Sequence, residues 1–182
     1  GVDALQFDFS SIPVPDGQKL RVVGNLPYNI SSPLLFHLAN YHPQIEDMTF
    51  MLQNEVVERM VASPSTSDYG RLSVMLQYRF VMDKLLDVPP TAFEPAPKVD
   101  SAIVRLIPLP NPLLPARDEA LLSKVVQQSF GQRRKTLRNN LRGWMTEEEL
   151  AQLNIDANAR PETLGVCDYV LIANALHEKG GV

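Results

Sequence analysis

The spacing of apolar residues changes character part-way along the chain. Up to about residue 108 they come in short runs bounded by turn residues. Beyond residue 115 they recur at helical spacing. The segment Leu20-Arg21-Val22-Val23-Gly24 predicts a short strand ending at a Gly-Asn turn signal. Asn25-Leu26-Pro27-Tyr28 follows as a loop. Pro33, a favoured first helical residue, predicts a buried helix carrying Leu34, Leu35, Phe36 and Leu38, capped by Ser31 or Ser32. Met48 to Gln53 predicts a second, buried strand, and Asn54 caps a helix to about Ala62. Near-continuous apolar strands alternating with helices predict an α/β layered sheet.

The polar stretch from Ser63 to Gly70 reads as a loop, and the short pattern over 71–78 does not choose between helix and strand. Phe80 to Val88 predicts a strand. Pro89, Pro90, Pro95 and Pro97 then exclude regular structure before a strand at 101–107. Prolines 108, 110, 112 and 115 make the clearest break in composition. They predict a first domain over 1–108, a linker over 109–115 and a helical domain over 116–182. In the last of these, Leu121, Leu122, Val125, Val126 and Phe130 share a helical face. A short helix is predicted over 147–153 and a final one from Pro161 to about His177, with Tyr169, Val170, Ala173 and Leu176 inward.

A chain of 182 residues can bury roughly 70% of its unfolded surface, so its core needs no covalent staples. The lone cysteine, Cys167, excludes an internal disulfide and a multi-cysteine zinc site. His37, His42 and His177 have no ligand spacing with it or with a carboxylate pair, so no metal is assigned. No apolar run reaches the roughly 20 residues of a membrane helix, and no signal peptide is apparent, which predicts a cytoplasmic protein.

The formal charge is −4, but it is unevenly spread. Residues 133–142 hold Arg133, Arg134, Lys135, Arg138 and Arg142 and no acid, while the rest carries 12 positive and 21 negative charges. Such asymmetry points to one polyanion-facing surface on an acidic body. On a helix spanning 133–144, Arg134, Lys135, Arg138 and Arg142 would cover one arc, and Leu137, Leu141 and Trp144 a neighbouring one that docks on the domain. A solvated face partly paired with Glu147, Glu148 and Glu149 is the plainer reading. The density of the run favours RNA.

The loop Asn25-Leu26-Pro27-Tyr28 sits where a strand of an open α/β sheet ends, the side on which such sheets bind ligands. Asn25 offers a carboxamide oxygen, Leu26 a backbone carbonyl, Pro27 a fixed backbone and Tyr28 an aromatic face. Two acceptors on an exocyclic amine favour its pyramidal form and free the nitrogen lone pair for attack on a methyl group. A strand-to-helix turn with a buried tyrosine would show the same four letters. The stiff segment from Phe93 to Ser101 can hold Phe93 out as a stacking wall, worth about 1–3 kcal/mol per base, or tuck it into the core. Asp3 can serve as a nucleoside-binding carboxylate or as an ordinary surface acid.

Four segments in this order resemble the small-subunit ribosomal RNA adenine dimethyltransferase family. Gly24 to Leu34 is similar to its amine-site loop and following helix, and Tyr69-Gly70-Arg71-Leu72-Ser73-Val74 to its central region. Phe93 to Ser101 resembles its F-x-P-x-P-K-V-x-S loop. Phe130-Gly131-Gln132-Arg133-Arg134-Lys135-Thr136-Leu137-Arg138-Asn139-Asn140-Leu141 resembles its C-terminal signature. The resemblance implies a Rossmann-like methyltransferase domain using S-adenosylmethionine, followed by a small helical domain. It implies dimethylation of two adjacent adenosines near the 3′ end of 16S RNA, in the RNA or its 30S precursor, during ribosome biogenesis. Asn25 with the Leu26 and Pro27 backbone would position the amine. Tyr28 and Phe93 would sandwich the base. Asp3 and Asn25 would face the cofactor, and Arg133, Arg134, Lys135, Arg138 and Arg142 the RNA.

The family's Gly-rich cofactor loop has no counterpart in these residues, which open on Gly1-Val2-Asp3 without Met. A chain truncated before Asp3 is therefore expected. It would have an incomplete cofactor site, little activity alone, and an unpaired sheet edge open to association with another chain. Two other functions share the scaffold: a non-catalytic RNA-binding assembly factor, and an adenine methyltransferase of large-subunit RNA or DNA. Asn25, Pro27 and Tyr28 favour chemistry over the first, and the segment 130–141 favours the small subunit over the second.

Overall fold

A computed structural model describes residues 1–182. The chain packs as two units, one of residues 1–61 and 79–110, the other of residues 62–78 and 111–182.

The first unit is built on four strands: β1 (Leu20–Asn25), β2 (Ile45–Gln53), β3 (Phe80–Val88) and β4 (Ser101–Pro108). They lie in the order β1-β2-β4-β3, with β1 and β2 parallel and the other pairs antiparallel. Helix α1 (Ser31–Ala39) connects β1 to β2, as a parallel pair requires, and α2 (Asn54–Val61) follows β2. Met48, Phe50 and Leu52 of β2 and Ala102, Val104 and Leu106 of β4 are buried. Helix α2 packs on β2, β3 and β4, burying Val57 and Met60.

The near-continuous apolar runs predict strands covered on both faces. Within these residues burial instead alternates along β1 and β4; α2 covers one face of β4, and Val23 on β1 is 79% exposed. Ser31 and Ser32 do not cap α1. Its N-cap is Ile30, and Ser31 is buried with Oγ donating to the Tyr28 carbonyl at 3.2 Å. Asn54 is the first residue of α2, and its side-chain oxygen accepts from Lys84 Nζ at 3.1 Å.

On β2, Asp47 is 6% exposed and receives three bonds from flanking strands. Arg21 on β1 donates through Nε at 3.0 Å and Nη2 at 2.9 Å, and Arg105 on β4 through Nη2 at 3.1 Å. The guanidiniums hold its carboxyl below the ordinary aspartate range, Arg21 contributing most. A depressed folded-state value means that the stabilisation is complete above the unfolded value near 4. It fades as pH falls through the folded value. Asp47→Asn is therefore expected to lower unfolding free energy at pH 7 and to narrow that gap in acid. Denaturant titrations at pH 7 and pH 3 check this, and an equal gap at both would contradict it.

The second unit contains α3 (Arg71–Arg79, its last residue belonging to the first unit), α4 (Glu119–Ser129), α5 (Leu137–Asn140), α6 (Glu147–Gln152) and α7 (Val166–Glu178). Asp118 caps α4 by accepting from Leu121 N–H at 3.1 Å. Thr146 and Glu149 form a capping box on α6. Helices α4 and α7 pack together, and Leu122, Val125, Val126, Tyr169, Val170 and Ala173 are at most 1% exposed. The predicted final helix splits. Pro161–Thr163 form a 3₁₀ turn, and α7 starts only after Gly165, whose N–H donates to Asp168 Oδ2 at 3.0 Å.

The packing differs from the predicted boundary at 109–115 in one respect: residues 62–78 join the second unit rather than the first. Tyr69 and Val74 are fully buried in the helical core, and Tyr69 Oη donates to the Leu164 carbonyl at 2.7 Å. Tyr78 Oη accepts from Ala116 N–H at 3.0 Å. Composition marks where a chain changes style. It does not reveal an earlier segment recruited by a later core.

Candidate active site

The loop after β1 is held by its own backbone. Leu26 N–H donates to the Met51 carbonyl at 3.1 Å, carrying the β1–β2 pairing one residue past the strand. Pro27 brings no N–H of its own, and its carbonyl accepts from Ile30 N–H at 3.2 Å. The Tyr28 carbonyl takes the Ser31 hydroxyl. Among the carbonyls of residues 26–28, that of Leu26 is left without an internal donor. Asn25 is exposed and its carboxamide has no internal partner, while Tyr28 is 74% exposed. The alternative of a buried tyrosine in a plain turn does not hold. Two acceptors and an aromatic face stand open at the carboxyl end of a strand, where open α/β sheets receive ligands.

The loop between β3 and β4 reaches the same end of the sheet. Gln53, the last residue of β2, pairs with Ser101, the first of β4, and Asn54 N–H donates to the Asp100 carbonyl at 2.9 Å. Phe93 closes the 3₁₀ turn Pro90–Ala92, its N–H donating to the Pro90 carbonyl at 3.2 Å, and is half-buried. Between the start of α2 and the end of this loop lies a cleft of about 370 Å³, lined by Gln53, Asn54, Glu55, Lys98, Val99 and Asp100. Lys98, Val99 and Asp100 belong to the stiff segment that the sequence marks and Asn54 to the start of a helix, whereas the sequence assigns no role to Gln53 or Glu55. Gln53, like Asn25, is a carboxamide at the end of an apolar strand.

Asp3 is exposed, and one carboxylate oxygen accepts from Leu5 N–H at 3.0 Å, which leaves the other available to a ligand. Its segment is tethered to α1. His37 Nε2 meets the Phe7 carbonyl at 2.7 Å, and the Phe9 ring packs beside those of His37 and Tyr41. Asp3 makes no hydrogen bond to Asn25.

The basic run is not one helix. Residues 131–135 form turns, and α5 covers only 137–140, closed by Leu141, with Gly143 at φ +83° in the turn that follows. Thr136 is extended, and the N–H groups of Leu137 and Arg138 are taken by the Ala159 and Ala157 carbonyls, which stop the helix from extending backwards. The five cations accordingly separate. Arg133 lies over the Phe130 ring and donates to the Ser67 carbonyl at 2.9 Å. Arg138 pairs with Glu147 at 2.9 Å, and Arg142 bonds Asn139 at 3.2 Å. Arg134 and Lys135 are exposed, and their side chains have no internal partner.

A family model described as ribosomal RNA adenine dimethylase matches residues 2–178. The chain belongs to that family. It is 62% identical over 178 residues to the ribosomal RNA small subunit methyltransferase A of Chromobacterium violaceum, covering 98% of this chain and 67% of that protein. It is 62% identical over 177 residues to the protein of the same name from Aromatoleum aromaticum, covering 97% and 65%. The chain thus spans about two thirds of the length of these relatives. Among solved structures it resembles a dimethyladenosine transferase from Plasmodium falciparum, with a TM-score of 0.77 at 27% identity, covering 96% of this chain and 72% of that one. It also resembles the 23S rRNA methyltransferase ErmE, with a TM-score of 0.64 at 26% identity, covering 96% and 70%.

The fold is therefore the α/β, Rossmann-like fold of these methyltransferases, with a helical C-terminal part. Ribosomal RNA adenine dimethylases act on an amine, and the donor set fits that task. Asn25 and Leu26 contribute oxygens, and Tyr28 contributes a ring a nucleobase can stack on. Methyltransferases of this kind use S-adenosylmethionine.

Proposed function

We propose that the intact protein transfers methyl groups from S-adenosylmethionine to the exocyclic amines of two adjacent adenosines near the 3′ end of small-subunit ribosomal RNA. The observation that carries this reading is the exposed Asn25–Tyr28 loop at the carboxyl edge of the sheet, in a chain of the adenine dimethylase family.

The target base leaves its stack, at a few kcal/mol, to reach the loop. Tyr28 takes one face of the purine, and Phe93 the other. Asn25 Oδ1 and the Leu26 carbonyl accept the two N–H bonds of the amine. The nitrogen is then drawn out of conjugation with the ring, and its lone pair points away from both oxygens. S-adenosylmethionine supplies an electrophilic methyl carbon when bound, with Asp3 and Asn25 among the residues that would hold it. The nitrogen would become cationic as the new C–N bond forms and the methyl–sulfur bond of the sulfonium breaks to leave a neutral thioether, so its proton is acidic enough to pass to water. No carboxylate or imidazole base is required beside Asn25.

Asp3 and Asn25 make only part of a cofactor site. We therefore assign tight cofactor binding to the intact protein and expect weak binding by these 182 residues, with calorimetry as the check; micromolar affinity would contradict it. The unpaired edge of β1, with Val23 exposed, supports pairing with another chain. A concentration-dependent dimer in sedimentation is the expected sign, and a monomer at all concentrations would refute it.

Arg134 and Lys135 are the cations of the basic run best placed to meet phosphates. Replacing both by Ala is expected to weaken RNA binding and to lower its salt-dependence slope by about 1–2. An unchanged slope in titrations from low to high salt would remove them from the interface. The functional reading itself is tested by mapping dimethyladenosine in ribosomal RNA of cells lacking the gene. Loss at two adjacent small-subunit positions, restored by the gene, is expected. Loss in large-subunit RNA alone, or no loss, would contradict it.

A further inference from the structure

We propose that the cleft at the carboxyl end of β2 holds the base next to the target adenosine, and that Gln53 reads it as adenine. The assignment rests on the functional reading above and names a specificity-determining residue for the same site.

The register sets the distance. Asn25 pairs with Met51, and Gln53 stands two residues further along β2, so it shares the sheet face of Met51 and Asn25. Two residues of advance and one inter-strand spacing put its Cα roughly 8 Å from that of Asn25. One step of an unstacked RNA strand can bridge such a gap. A base held in the amine loop therefore delivers its neighbour to the cleft.

The lining then decides what part of that neighbour fits. Glu55 is paired with Arg59 at 2.6 Å, which leaves Lys98 and Asp100 as one charge of each sign on the lining. That balance gives a phosphate no net attraction and suits a neutral edge that carries an amine. The Gln53 side chain is half-buried and has no partner within the protein, leaving one acceptor and two donor hydrogens open. A free carboxamide of this kind matches the N6 amine and N7 of adenine in a bidentate pair. The Asn54 oxygen accepts from Lys84 Nζ, itself fixed by Glu58 at 2.6 Å and Asp87 at 2.8 Å, so the Asn54 amide is oriented and the choice between amine and carbonyl falls to Gln53. Val99, 48% exposed, supplies an apolar surface for the face of the ring. Guanine presents acceptors at both O6 and N7 and would lose the amine bond.

The experiment uses the intact protein and small-subunit particles from cells lacking the gene. Their RNA carries either the adenosine pair or guanosine in place of each adenosine in turn. The wild type is expected to methylate the remaining adenosine with a kcat/KM lower than that of the pair by roughly 5- to 150-fold. Gln53→Met is expected to bring that ratio to within about twofold of one. Its unfolding midpoint should not move, because Gln53 makes no internal hydrogen bond. Gln53→Glu, which keeps an amine acceptor and removes the donor to N7, should give an intermediate ratio and guards against a folding failure of the first variant. No discrimination by the wild type, or equal discrimination by wild type and both variants, would overturn the assignment. Failure of the wild type to methylate the unaltered pair would instead overturn the functional reading on which it rests.

Discussion

Asn25→Ala in the intact protein is expected to lower the rate of adenosine methylation by at least about 10²–10³-fold, the scale on which losing one preorganised polar contact to a reacting centre is felt. In the proposed reaction the carboxamide oxygen is one of two acceptors that hold the amine. With it gone, the nitrogen relaxes into conjugation with the purine and its lone pair is no longer presented. Two properties should stay put. In the proposed function RNA affinity comes from phosphate contacts and stacking by Tyr28, so it should change little. Folding stability should also hold, since the Asn25 side chain is exposed and bonds to nothing in the protein. Single-turnover rates beside equilibrium RNA binding separate these quantities. Unchanged methylation, or a loss of rate matched by an equal loss of RNA binding, would refute the role given to Asn25.

The largest effect on stability is expected at Tyr169→Ala. This side chain is fully buried between α4 and the segment carrying Tyr69, and its ring lies 5.7 Å from that of Phe130. Its hydroxyl donates to the Pro161 carbonyl, pinning the turn that precedes α7. Burial pushes the phenol far above its ordinary range, so it remains a donor at any physiological pH. Truncation leaves an aromatic-sized cavity and leaves the Pro161 carbonyl only the Leu164 N–H at 3.3 Å, for a loss of about 3–5 kcal/mol. Tyr169→Phe removes only the hydrogen bond and should cost about 1 kcal/mol. Denaturant unfolding of both variants gives the comparison. A loss below 1 kcal/mol for the alanine variant would show that the second unit does not depend on this core.

Much of the architecture can be read from residue pattern, because strands and helices here bury different periodicities. Phe80–Val88 is bounded by the residues the pattern indicates, and Tyr169, Val170, Ala173 and Leu176 all face inward. The ends of elements are less legible, since they depend on bonds to distant backbone. The basic run illustrates this: its residues suit a helix, but the carbonyls of Ala157 and Ala159 claim the N–H groups that begin α5. Residues 62–78 illustrate it again, for nothing local shows that Tyr69 will reach Leu164. At the site, the chemistry of Asn25 and Tyr28 was legible because both are polar or aromatic groups at a strand end. Gln53 carried a similar signal, masked by the apolar strand it closes. The division of labour among the five cations was not legible, because it turns on which of them find partners inside the second unit.

A structure of the intact protein bound to its RNA tests the central claim most directly. The account predicts an unstacked adenine lying against the Tyr28 ring, with N6 at hydrogen-bond distance, about 2.6–3.2 Å, from both Asn25 Oδ1 and the Leu26 carbonyl. A target adenine bound elsewhere, or one whose amine faces neither oxygen, would contradict it.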